Sequence, residues 1–153
     1  MDGSAYISGP LQAAQDLAAA RDFYLELAQV AEDAGWEPYV PHLHTDPELH
    51  PDVSGLDVFM RDVQALTKAG LLIADLRAPS LGVGAELGMA YNQQIPIVGL
   101  SGPDGIPSRF AIGLLERYRD GHLFEIDGKD LNGLRELLEA LRHSSAPKLA
   151  QAG

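Results

Sequence analysis

At 153 residues, with 46% apolar and 22% charged side chains, the chain has the make-up of a globular protein and the length of one domain, enough to bury about two thirds of its unfolded surface. A formal charge of -11 opposes the phosphate backbone of nucleic acid, whose binding depends on lysine and arginine. Without cysteine there are no disulfides, thiolate catalysis or cysteine-held metal, which suits a cytoplasmic setting; with no run of about 18 apolar residues and no basic-then-apolar leader, neither a membrane span nor a secretory signal is expected.

Ala5 to Ser8 reads as a first strand, ended by Gly9 and Pro10. From Gln12 to Gly35 the spacing is helical, with Leu17, Ala20, Tyr24, Leu27, Ala28 and Ala31 recurring at three and four residues and Gly35 as the stop. Trp36 to Val40 is a second strand, shortened by Pro38 and Pro41, and Pro41 to Ser54 reads as a long loop. Residues 55–69 form a helix with Phe59, Val63 and Leu66 as its buried stripe. Asp62 stands about 60° from that stripe, at the boundary between core and solvent. Leu71 to Leu76 is an apolar run of the kind buried on both faces of a parallel sheet. The turn from Pro79 to Gly84 follows, and a helix is predicted near Val83 with Glu86 in its first turn. Beyond it come a strand from Ile95 to Leu100, a helix from Ser108 to Arg119, a strand from His122 to Ile126 and a closing helix from Leu131 to Leu141. Residues 1–142 read as one domain and 143–153 as a fraying tail.

Strands alternating with helices predict a parallel sheet covered on both faces, with ligands outside the carboxyl ends of its strands. Three stretches end there: Ser8, Gly9 and Pro10; the histidine-bearing loop; and Pro79 to Glu86. Gly82 and Gly84 allow backbone amides close to a ligand. Glu86, held charged by the helix field, suits a nucleophile, and Asp62 supplies a second carboxylate, a division of labour used in glycoside cleavage. Placement as a simple complement to the helix terminus is the plainer reading of Glu86. The glycines lack the third member of a dinucleotide fingerprint, and no Walker lysine follows them. His42, His44 and His50 have the chemistry of metal ligands but occupy a proline-rich loop, so neither metal nor other cofactor is expected.

The pieces Tyr6-Ile7-Ser8-Gly9-Pro10, Asp62 and Pro79-Ser80-Leu81-Gly82-Val83-Gly84-Ala85-Glu86-Leu87-Gly88 resemble the nucleoside 2-deoxyribosyltransferase superfamily, over roughly residues 5–140. Within it, the chain looks most like the 2'-deoxynucleoside 5'-phosphate N-hydrolases. The resemblance implies a flavodoxin-like three-layer α/β sandwich with a five-stranded parallel sheet, and cleavage of the bond between base and deoxyribose. It implies Glu86 as the attacking carboxylate, with Asp62 and Tyr6 beside the sugar. It further implies a homodimer or higher homo-oligomer whose site is completed in trans, with Ser108 matching the serine lent by the partner and Arg109 next to it.

Ser80 bears on the branch. The resembling transferases usually carry an aspartate there, whereas the hydrolases carry a serine that holds the 5'-phosphate, and a serine beside backbone amides suits a phosphate. Pro10 and Gln12 depart from the hydrolase pattern, which has a serine and an arginine at those places, and Pro10 has no amide hydrogen to donate. The histidine of the family matches His42 or His44. Hydrolysis of deoxynucleoside monophosphates leads, base exchange between deoxynucleosides is the alternative, and a nucleotide-binding module without turnover is the third reading.

Overall fold

The computed structural model describes residues 3–11, 16–46, 48–128 and 130–145. Gln12, where the predicted first helix begins and where the hydrolases have an arginine, lies outside the described residues.

The central strand β3 (Leu71–Asp75) is buried at all five positions. It pairs with β1 (Ser4–Ser8) on one side and β4 (Ile97–Ser101) on the other. Beyond these lie β2 (Glu37–Tyr39) and β5 (Gly121–Glu125), giving the all-parallel order β2-β1-β3-β4-β5. This is the flavodoxin-like order, in which the chain reverses direction across the sheet between β1 and β3.

Strand alternation divides the core in two. Ile7 and Ile73 face a layer containing Tyr24 and Leu27 of α1 (Leu17–Asp33) and Leu134 and Leu138 of α6 (Asn132–Ser145). Tyr6, Leu72 and Ala74 face the opposite layer, with Leu66 of α3 (Gly55–Lys68), Leu87 of α4 (Leu81–Asn92) and Leu115 of α5 (Arg109–Arg117). Trp36 ties the first layer together by donating its indole N–H to the Leu138 carbonyl at 2.9 Å. Gly35, at φ 85°, makes the turn from α1 into β2.

Four readings need correction. The segment from Pro41 to Ser54 is not all loop: it holds the short helix α2 (His42–Thr45). Helix α4 starts at Leu81 rather than near Val83, because the Ser80 hydroxyl caps it by accepting from the Val83 amide at 3.3 Å. Phe59 is 56% exposed. The first turns of α3 border a cavity through Val58 and Asp62, so only the carboxyl half, from Ala65, packs into the core. Finally, α6 continues past Leu141 to Ser145.

Candidate active site

Tyr6 and Ser8 lie two residues apart on β1, so their side chains leave the sheet on the same face. That face meets α4, which packs through Val83, Leu87 and Ala90. Glu86 comes down between the buried stripe and the strand ends. Its Oε1 accepts from the Tyr6 hydroxyl at 2.6 Å, and its Oε2 accepts from the Ser8 hydroxyl. Both oxygens are thereby held, and the carboxylate has one orientation.

The early start of α4 puts Glu86 in the second turn, with no acidic residue in the first. The helix field fades within a turn, so the expectation that it keeps Glu86 charged is not met. Burial pushes the Glu86 carboxyl above its ordinary range; the bonds from Ser8 and Tyr6 oppose the shift, and the charge of Asp62 adds to it. Burial, followed by the charge of Glu86, drives the Tyr6 hydroxyl far up, which keeps it a donor.

Asp62 sits on α3, facing the same cavity, and is likewise raised by burial against the pull of Tyr39, His44 and Arg61. Its Oδ1 accepts from the Tyr39 hydroxyl at 3.1 Å.

The cavity has a volume of about 260 Å³. Of the residues singled out from sequence, Gly9, His42, Asp62, Ser80, Gly82 and Glu86 line it, with Tyr6 and Ser8 holding Glu86 from the strand side. Pro10 borders a neighbouring cavity beside Arg77. His44 turns away and stacks on Tyr39, with ring centres 5.2 Å apart. Gly84 and Ser108 line a separate groove that also meets Ser80, and Ser108 caps α5 by accepting from the Ala111 amide at 3.2 Å. Gly82 and Gly84 belong to α4 itself, not to a turn preceding it. Burial lowers the pKa of His42 against the opposing charge of Asp46 and so favours its neutral ring.

Sequence reasoning missed Tyr24, Tyr39 and Asp46. Tyr24 walls the cavity and donates to buried Asp75 at 3.3 Å, and Asp75 is gripped by both Nε and Nη2 of Arg77 at 2.9 Å. Asp46, also in the lining, pairs with Arg21 at 2.6 Å and accepts from the Glu48 and Leu49 amides, which fastens the loop after α2 to α1. Tyr24 was read only as a member of the α1 stripe, and nothing in the spacing of Asp46 separates it from other loop acids.

With this geometry in place, comparison with known proteins decides the family. The model of the nucleoside 2-deoxyribosyltransferase family matches residues 5–133. The chain belongs to that family. It is 30% identical over 122 residues to the Methanosarcina barkeri protein named "Putative 2'-deoxynucleoside 5'-phosphate N-hydrolase 1", covering 78% of this chain and 74% of the relative. A Methanosarcina mazei protein of the same name is 32% identical over 113 residues, covering 72% and 68% respectively. A solved 2-deoxyribosyltransferase from Bacillus psychrosaccharolyticus shares the fold, with a TM-score of 0.59 at 19% identity over 86% of this chain and 90% of that one. Membership of the deoxyribosyltransferase family makes the chain an N-glycosidase or a deoxyribosyltransferase that acts on a nucleoside or nucleotide. Among the described residues, no helix is long and apolar enough to cross a membrane.

Proposed function

We propose that the chain cleaves the N-glycosidic bond of 2'-deoxynucleoside 5'-monophosphates, with Glu86 as the nucleophile. The observation that carries this reading is the Glu86 carboxylate, buried beside the cavity with one oxygen on Tyr6 and the other on Ser8. An oxygen of Glu86 attacks the anomeric carbon, the carbon–nitrogen bond breaks, and its electron pair leaves with the base, which takes up a proton from solvent. Water then attacks the anomeric carbon of the glycosyl ester. The ester bond breaks, the sugar phosphate leaves, and the second proton of that water goes to solvent as the Glu86 carboxylate is restored. Asp62 faces the reacting sugar from α3. The names of the Methanosarcina relatives favour this branch, as does Ser80 in the cavity wall.

One observation favours base exchange instead. Among the described residues, the lining includes Asp62 and Glu86, beside an Asp46 already paired with Arg21, and no lysine or arginine, a field better suited to an unphosphorylated nucleoside than to a dianion. In that case a second base, rather than water, captures the anomeric carbon.

We also propose a homodimer. Leu81, 96% exposed, and Phe110, 82% exposed, flank a mainly apolar groove that contains Ser80 and Ser108, and a second copy seated there brings its own Ser108 near the first site.

Incubation with each deoxynucleoside and each monophosphate, with and without a free second base, separates the readings. Base released only from monophosphates supports the hydrolase, and exchanged nucleosides support the transferase. Binding without product leaves a nucleotide-binding module.

A further inference from the structure

Tyr6 and Tyr39 are register partners on β1 and β2, so their rings leave the sheet side by side and stack with centres 5.4 Å apart at 28°. Each ends on a carboxylate from the helices above: Tyr6 on Glu86, Tyr39 on Asp62. His44 closes the outer side of the stack, 5.2 Å from Tyr39 at 17°. Tyr39 does not line the cavity; it borders an outer groove with His44 and Arg61 and reaches Asp62 from behind.

We propose that Tyr39 is a positioning residue that fixes the direction and charge of Asp62 for the reaction at Glu86. The inference rests on the function proposed above.

Three features support it. Pinned between Tyr6 and His44, the Tyr39 ring has little freedom, so its hydroxyl is a fixed donor rather than a mobile one. Burial, followed by the charge of Asp62, raises the Tyr39 hydroxyl well above its ordinary range, so it remains protonated and Asp62 must accept. The groups facing Asp62 come from four further elements: Tyr39 from β2, His44 from α2, Glu86 from α4 and Tyr6 from β1, with Arg61 beside it on α3. Of these, Tyr39 is the one that holds the carboxylate by a hydrogen bond, which favours the ionised form.

Tyr39→Phe keeps the stack and deletes only the donor. The carboxyl carbon of Asp62, assigned by its loss in Asp62→Asn, is titrated by NMR in both proteins, and kcat/KM is followed against pH. Asp62 works ionised beside Glu86, so the expected result is a rise in the Asp62 midpoint, a fall of about 10-fold in kcat/KM, and movement of the acid limb that the two carboxylates share to higher pH. Tyr118→Phe, which deletes a hydroxyl bonded to the remote Ile95 carbonyl, serves as the control and keeps the wild-type limb. An unmoved Asp62 midpoint, or a moved midpoint with rate and limb unchanged, overturns the role given to Tyr39. A wild-type chain that titrates as expected but releases or exchanges no base overturns the proposed function and, with it, any part for Tyr39 in catalysis; the hydrogen bond alone then stands.

Discussion

Gly9 packs against the hydroxyl end of Tyr24 with no room for a side chain: a Cβ built on Gly9 overlaps the Cζ, Cε1 and hydroxyl of Tyr24. The ring covers the end of β1, walls the cavity on its inner side, and carries the hydroxyl that donates to Asp75. Gly9→Ala must therefore displace Tyr24, break its bond to buried Asp75 and deform the pocket. Overpacking of this kind costs about 1–3 kcal/mol. Denaturant unfolding should show that loss as a lower midpoint with an unchanged slope, and KM should rise for whichever substrate the wild type turns over. Equal stability and equal KM would mean that Tyr24 has free space to retreat into.

Glu86→Gln separates chemistry from stability. The amide keeps an acceptor and gains a donor, and the Tyr6 and Ser8 hydroxyls can each serve in either sense, so the fold persists. Turnover should fall by about 10³-fold or more, as for loss of a nucleophile. The folded pKa of Glu86 lies above its unfolded value, so its favourable contribution is full below the unfolded pKa and is lost as pH rises through the folded one. At pH 7.5, above the unfolded pKa, the wild type has therefore lost stability that the amide keeps. The variant should melt higher there, by roughly 2–4 °C per kcal/mol gained, and the advantage should shrink toward pH 4. A variant that melts lower at pH 7.5 would make the carboxylate structural.

Much of this site was open to sequence reasoning because it depends on parity. Leu71 to Asp75 is apolar enough to be buried on both faces, so the central strand could be recognised from the chain alone, whereas the strand order that sets the switch point between β1 and β3 could not. Tyr6 and Ser8 share a face by alternation. What could not be read was relative position between elements. The pairing of Tyr39 with Tyr6 depends on a register set by a strand of three residues containing Pro38, and no periodicity shows in so short a run. Phe59 fits a helical stripe yet is exposed, since periodicity does not tell how far a helix overhangs the sheet. The influence on the Glu86 carboxyl was misread for the same kind of reason: a helix start two residues earlier takes it out of the helix field, and burial governs it instead.

The acid limb of activity should move in opposite directions in two variants. A nucleophilic Glu86 works ionised, so kcat/KM falls as pH drops through its raised pKa, above the roughly 4.3 of a free glutamate. Ser8→Ala removes a donor that favours the charged form, so the limb should shift to higher pH and the rate should drop by about 10–100-fold, the range for a hydrogen bond to a charged group. Asp62→Asn removes a like charge, so the limb of its residual activity should shift to lower pH. Initial rates between pH 4 and 8 in buffers of constant ionic strength check both. Movement of both limbs in the same direction would assign the limb to a group other than Glu86.

Ser80 has two tasks to tell apart. Its hydroxyl caps α4 through the Val83 amide, so Ser80→Ala should cost about 1 kcal/mol, or roughly 2–4 °C in Tm, whatever the substrate. Ser80→Asp keeps the capping oxygen but faces the cavity with a negative charge. If the site takes a 5'-phosphate, this variant should melt near the wild type while its kcat/KM for monophosphates falls at least about 5-fold relative to that for the matching nucleosides, since a like charge within about 4 Å of the phosphate opposes binding by at least 1 kcal/mol. An unchanged monophosphate-to-nucleoside ratio would leave Ser80 as a cap alone and favour the base-exchange reading.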